Sequence, residues 1–210
     1  MLSYYRVDNI LAVGAPWWRF LVRRSPVGIL LRTGCTFPPT HPTTKMCLRL
    51  MVQALNEKRC QRLVDVGCGS GILALAGLKL GVKWAVALDP SLRAISTSRA
   101  NAELNQVARR LSLVRGSTEA VTGPFDLVLA NLPMPVLVDK LPELVRLGAG
   151  GAALVLSGFQ DLDKSLLDGE IRQQQYIPQH WLSGDLSFYG VPPSGSFTWM
   201  AVLASAGQQK

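Results

Sequence analysis

Carboxylates are scarce in this chain of 210 residues: 14 Asp and Glu stand against 22 Lys and Arg, a net charge of +8. An imbalance of that size points to an acidic partner such as nucleic acid, a ribosomal surface or an anionic surface. The shortfall is local. Residues 1–50 carry Arg6, Arg19, Arg23, Arg24, Arg32, Lys45 and Arg49 against Asp8 alone, whereas residues 51–210 hold 15 basic and 13 acidic residues. Histidine is limited to His41 and His180, and Cys35, Cys47, Cys60 and Cys68 contain no C-x-x-C pair and no zinc-like spacing to a histidine, so no metal is expected. The cysteines read as small buried hydrophobes of a reduced protein. No apolar run nears the roughly 20 residues of a membrane-spanning helix, and no secretory leader pattern is present. A soluble, cytoplasmic protein without membrane insertion is expected. Repeats and low-complexity tracts are also missing, and 48% hydrophobic residues with 19 glycines exclude a disordered chain.

What is present from residue 62 onward is an alternation of short aliphatic runs with helical patterns, the signature of a parallel sheet covered by helices on both faces. Strands are expected at Arg62–Val66, Trp84–Leu88, Leu111–Val114, Phe125–Ala130 and Ala152–Ser157, with helices at Ile72–Leu80, Leu92–Asn105, Pro135–Leu147 and Asp161–Gln175. Leu186–Tyr189 and Phe197–Ala204, joined by the turn-rich residues 190–195, read as a closing antiparallel hairpin. The fold expected is α/β, a doubly wound, Rossmann-like sheet of seven strands. Upstream, Lys45–Leu55 reads as an amphipathic helix with Thr40-His41-Pro42 as its cap. Residues 40–210 then form the main domain, and residues 1–39 a basic, aromatic extension too apolar for a free tail and too broken for a domain.

Asp65-Val66-Gly67-Cys68-Gly69-Ser70-Gly71 joins the first of those strands to its helix. Glycines in such a turn let peptide N–H groups and the helix N-terminus approach a ligand closely. Asp89 ends the next strand, 22 residues beyond Gly67, where a carboxylate can accept both hydroxyls of a ribose. The spacing is D-x-G-x-G-x-G. It is neither the G-x-G-x-x-G of hydride-transferring folds nor a phosphate-binding G-x-x-x-x-G-K-[ST], which disfavours both chemistries.

The pattern resembles the first motif of class I S-adenosylmethionine-dependent methyltransferases, whose seven-stranded sheet ends in an antiparallel hairpin. Asp65–Gly81, Asn101-Ala102-Glu103-Leu104-Asn105, Leu129-Ala130-Asn131-Leu132 and above all Thr40-His41-Pro42-Thr43-Thr44 resemble the PrmA family, methyltransferases of large-subunit ribosomal protein eleven. The likeness spans about residues 36–160, and Trp199 also resembles a family position. It implies S-adenosyl-L-methionine as cofactor, contacted by Thr44, Gly67, Asp89 and Asn131, and Asp65, Gly69 and Gly71 of the same turn are expected to be cofactor-binding as well. It also implies a positioning role for Asn131 in catalysis. His41 and His180 are weaker candidates for proton removal, His41 being the better placed.

Two departures bear on the acceptor. Asn131-Leu132-Pro133 is followed by Met134, where methyltransferases acting on planar nitrogens carry an aromatic that stacks on the substrate. That favours an amine, lysine or similar, on an acceptor protein, possibly ribosomal. RNA N-methylation, small-molecule N- or O-methylation and a non-catalytic donor-binding role are the alternatives. Second, the family places about a hundred residues ahead of T-H-P-T-T where this sequence has 39, and its upstream glycine-rich loop is replaced by Thr36-Phe37-Pro38-Pro39. The N-terminal block, with Trp17, Trp18, Arg19, Arg23 and Arg24, is therefore either an acceptor-binding element or a short amphipathic helix with its tryptophans buried.

Overall fold

A computed structural model describes residues 4–33, 37–148, 151–186 and 195–207. Two strands, β1 (Tyr5–Val7) and β2 (Leu11–Gly14), pair antiparallel, and the single-turn α1 (Arg19–Val22) leads to β3 (Val27–Leu30), which pairs parallel with β2. The long α2 (Pro42–Glu57) precedes β4 (Arg62–Val66), α3 (Ile72–Lys79), β5 (Trp84–Asp89), α4 (Leu92–Leu104) and β6 (Leu111–Arg115). Then come β7 (Leu127–Asn131), α5 (Met134–Gly148), β8 (Ala153–Gln160), α6 (Lys164–Gln173), β9 (Tyr176–Asp185) and β10 (Thr198–Ala206). The large sheet has the order β6-β5-β4-β7-β8-β10-β9. Its first five strands are parallel, and β10 runs antiparallel to both β8 and β9. The winding reverses between β4 and β7, so their carboxyl ends open the crevice in which such sheets bind ligands.

Residue alternation assigns the two faces. Along β4, Leu63 points to the side of α2 and α3, while Val64 and Val66 join Leu137, Leu141, Leu144 and Phe159 under α5 and α6. Ile72–Leu78 of α3 is buried all round because the helix lies between the large sheet and β3. Among the described residues no helix is long and apolar enough to cross a membrane.

The parallel strands and helices fall within a few residues of the expected positions. The closing hairpin is shifted: its first strand is β9, Tyr176–Asp185, and of the expected Leu186–Tyr189 only Leu186 is described, outside any strand. Alternation is masked in β9 because it is the sheet edge, with Gln179, His180 and Asp185 exposed. Of the turn expected at 190–195 only Gly195 lies within the described residues. The helix expected at Lys45 begins instead at Pro42, with His41 rather than Thr40 as its cap: His41 Nδ1 accepts from Thr43 N–H at 3.3 Å. The start expected at Asp161 is a tighter turn over Asp161–Asp163, opened by a reciprocal cap between Gln160 and Asp163.

Residues 5–31 correct the expectation of a broken extension. They form a three-stranded sheet whose Val7, Leu11, Val13, Ile29 and Leu31 enter the same core as α2 and α3. Two asparagines four residues apart, Asn101 in α4 and Asn105 capping its end, bind the edge of this sheet as a strand would. Asn105 Oδ1 accepts from Leu30 N–H at 2.9 Å and its amide donates to Leu30 C=O at 2.6 Å. Asn101 Oδ1 accepts from Arg32 N–H at 2.8 Å, and its amide donates to Arg32 C=O and Ser70 C=O, each at 2.9 Å. Burial makes those bonds costly to lose, since three peptide groups would be stranded. Asn101→Ala is therefore expected to cost about 2–4 kcal/mol in urea unfolding, against under about 1 kcal/mol for an exposed polar residue of the same helix such as Glu103→Ala.

Candidate functional site

The turn after β4 is wound by its glycines. Gly67 N–H and Cys68 N–H both donate to Leu88 C=O, at 2.9 and 3.0 Å, which folds the turn against the end of β5. Asp89, the last residue of β5, accepts from Gly69 N–H at 3.0 Å on one carboxylate oxygen and from Ser91 N–H at 2.9 Å on the other. Gly71 caps α3, and Ser98 Oγ donates to Gly69 C=O at 3.0 Å. Thr44, Asp65, Gly67, Gly69 and Asn131 line one cleft together with Phe37 and Pro39. Gly71 and Asp89 are not among its lining residues; Asp89, half-buried, adjoins it through its bond to Gly69 N–H.

Three polar side chains at this cleft have no protein partner. Thr44, buried in the first turn of α2, Ser70 in the glycine turn and Asn131, half-buried at the carboxyl end of β7, make no side-chain hydrogen bond among the described residues. Their hydrogen-bonding capacity is thus left open at the cleft. Asp65, on the cleft floor, is spoken for on one oxygen, which accepts from Ala74 N–H at 3.1 Å. Burial raises its pKa to about 7, the charge of Asp89 adds to the rise, and the Ala74 hydrogen bond opposes it.

Leu132 joins the two halves of the site. A Cβ on Gly67, whose φ is +74°, would stand 2.4 Å from Leu132 Cδ2. On the other side Gly158, φ +101°, lies so close that a Cβ there would meet the Leu132 carbonyl oxygen, carbon and nitrogen at 2.1, 2.6 and 2.9 Å. Leu132 N–H donates to Ser157 C=O at 2.9 Å, extending the Asn131–Ser157 register of β7 and β8 by one bond. Gly158 was not among the residues singled out from the sequence. Its signal, a glycine just past the carboxyl end of an expected strand, is shared by many turns.

The histidines separate. His41 packs between Phe37 and Trp199, with ring centroids 4.8 and 4.9 Å away, and its Nδ1 also lies 2.8 Å from Thr43 Oγ1. Burial lowers its pKa, so the ring is a neutral cap. His180 stands 3.7 Å from Glu57, at the other end of α2 from Thr44. Cys47 and Cys68 are buried free thiols, Cys47 pushed up to about 12 by burial, and Cys60 is half-buried.

With the cleft in view, comparison with known proteins places the chain. The family model of ribosomal protein L11 methyltransferase (PrmA) matches residues 5–182. This chain belongs to the PrmA family. Ribosomal protein L11 methyltransferases of Shewanella putrefaciens and Klebsiella pneumoniae are 38% and 39% identical to it over 147 and 146 residues, 69% of this chain and 49% of theirs. The chain thus spans about half the length of the curated relatives it matches. A crystal structure of ribosomal protein L11 methylase from Lactobacillus delbrueckii subsp. bulgaricus superposes with a TM-score of 0.82 at 26% identity, covering 98% of this chain and all of that one. The PrmA match begins at residue 5, so the small N-terminal sheet belongs to the family pattern, a wider span than the motifs alone carry.

In this PrmA-family cleft Asp65 makes stability depend on pH. Its folded pKa, about 7, exceeds the ordinary 3.8, so the folded chain keeps a proton that the unfolded chain releases. The contribution is full below about pH 4 and is lost as pH rises through about 7. Urea midpoints of Asp65→Asn should therefore gain on those of the unaltered chain as pH goes from about 5 to 8; a constant difference would show that the carboxyl is not desolvated.

Proposed function

We propose that this chain is an S-adenosylmethionine-dependent N-methyltransferase whose acceptor is an amine on a protein, a lysine side chain or a similar group. The observation that carries the reading is the pair of unpartnered groups, Thr44 hydroxyl and Asn131 amide, flanking a glycine turn at the reversal point of the sheet. The names of the relatives, ribosomal protein L11 methyltransferases, supply the acceptor class: a ribosomal protein, met in the cytoplasm where ribosomes are made.

S-adenosylmethionine, when bound, supplies a methyl group already activated on sulfur. The chain's task is then to hold two molecules in line. Asp89 has lone pairs left beyond its bonds to Gly69 and Ser91, enough to accept the two ribose hydroxyls. The Gly67–Gly69 turn, without side chains, admits the methionine portion against its peptide groups, and Thr44 offers its hydroxyl to the donor's polar groups. Asn131 Oδ1 and the Leu132 carbonyl, which has no hydrogen-bond partner among the described residues, can accept the two N–H groups of a neutral amine. That would aim its lone pair across the cleft. Burial of the amine disfavours its charged form and so supplies the neutral nucleophile. Met134, partly buried beside this loop, offers no stacking face, which favours an amine over a nucleobase.

Calorimetry with S-adenosylmethionine tests the donor site: Asp89→Ala should weaken binding roughly a hundredfold, since two charge-assisted hydrogen bonds are lost. Unchanged affinity would remove the assignment. Transfer of tritiated methyl groups into a ribosomal fraction should yield label that protease releases and RNase does not, and Asn131→Ala should lower its rate roughly a hundredfold. Label lost to RNase alone would overturn the protein acceptor.

A further inference from the structure

The small N-terminal sheet carries a surface that the transfer chemistry does not use. Trp17 is 62% exposed, Phe20 70% and Trp18 37%, three large rings within four residues. Soluble monomers seldom leave such a cluster uncovered. Arg19 lies between Trp18 and Phe20, and Arg23 and Arg24 follow; all three are exposed and, among the described residues, in no ion pair. The Arg24 guanidinium lies over the Phe20 ring, 4.3 Å from its centroid, and Trp18 packs beside Tyr4 at 6.4 Å. Asp8, the sole carboxylate of the first fifty residues, is already bound by Arg49 at 3.2 Å. The first fifty residues thus offer these arginines no free carboxylate.

Its place in the fold connects it to the cleft. Asn105 binds Leu30 and Asn101 binds Arg32, so β3 runs against the direction of α4, toward the carboxyl ends of the large sheet's parallel strands. β2 is parallel to β3, and Trp17 and Trp18 follow its end at Gly14, where a Cβ would stand 3.1 Å from Trp18 Cβ. In β1, Tyr5 lies opposite Val13 at this same end and its hydroxyl donates at 2.7 Å to the carbonyl of Pro39, a residue of the cleft wall. The ridge and the cleft mouth are thus joined through Tyr4, Tyr5 and Pro39.

We propose that Trp17, Trp18 and Phe20 with Arg19, Arg23 and Arg24 form a binding surface for single-stranded RNA beside the cleft. Protruding flat rings beside guanidinium groups fit a strand that offers both stackable bases and phosphates. An acidic protein would supply charge but would need pockets to receive rings that stand this far out. A bilayer surface needs an apolar stripe segregated from its charges, whereas here Arg19 sits between Trp18 and Phe20, the Arg24 guanidinium covers the Phe20 ring and α1 is one turn long. The RNA on this surface is an anchor, not the methyl acceptor, so the inference stands apart from the donor reading and its test requires no methyl transfer.

The test is fluorescence anisotropy of a labelled oligouridylate of about 12 nucleotides with the full chain. Binding should weaken between about 50 and 200 mM salt with a log–log slope of about −2, as three phosphate contacts give for a single strand. Trp17→Ala and Phe20→Ala should each weaken it about tenfold, the loss of one stacked base. The double change Arg23→Glu and Arg24→Glu should abolish it, and calorimetry with S-adenosylmethionine on the same variants reports whether the cleft is intact. Absence of binding, affinity unchanged by Trp17→Ala and Phe20→Ala, or equal capture by polyglutamate or by vesicles containing phosphatidylglycerol would each overturn the proposal.

Discussion

Everything at the candidate site depends on where Leu132 can go. Its side chain occupies the space in which Gly67 lacks a Cβ, and its backbone occupies the space in which Gly158 lacks one. One residue thereby sets the distance between the donor turn after β4 and the strand end of β7 that presents Asn131. Neither glycine could be replaced without moving it, because the facing atoms are backbone on one side and a branched side chain on the other. The Ser157 carbonyl fixes the third direction by accepting from Leu132 N–H. Under the proposed transfer, a cleft that aligns two molecules gains from such a constraint, since misplacement by about 1 Å can cost a hundredfold in rate.

A second constraint acts on the far side of the turn. The Asn101 amide donates to Ser70 in the glycine turn and to Arg32 beyond β3, so a single side chain ties the donor turn to the N-terminal sheet. The N-terminal sheet in turn covers α3, which explains a helix with no polar face. The N-terminal segment thus packs its apolar residues into the core on one side and presents a charged aromatic ridge on the other.

Legibility followed the physics of each element. β4, β5 and α3 were readable because burial on both faces writes continuous aliphatic runs, and Asp65 to Gly71 because a strand-to-helix turn of that tightness demands glycine. Edge elements were not: β9 shows no alternation, and β1 to β3 are three or four residues long, held by asparagines from elsewhere in the sequence. Asn101 and Asn105 were visible as a family-like segment, but nothing in their spacing said that they would mimic a neighbouring strand. Thr44 and Asn131 could be picked out by likeness, whereas their lack of partners is visible only in three dimensions. Gly158 carried no distinguishing signal, because its role is to be absent where Leu132 stands.

The decisive measurement is steady-state methyl transfer by Gly158→Ala, read beside its donor affinity. If Leu132 sets the acceptor geometry, kcat should fall roughly a hundredfold while the S-adenosylmethionine Kd stays within about twofold, since less than 0.5 kcal/mol of donor contact is touched. A kcat close to that of the unaltered chain, or a parallel loss of donor affinity and rate, would contradict the assignment of Leu132 to acceptor geometry.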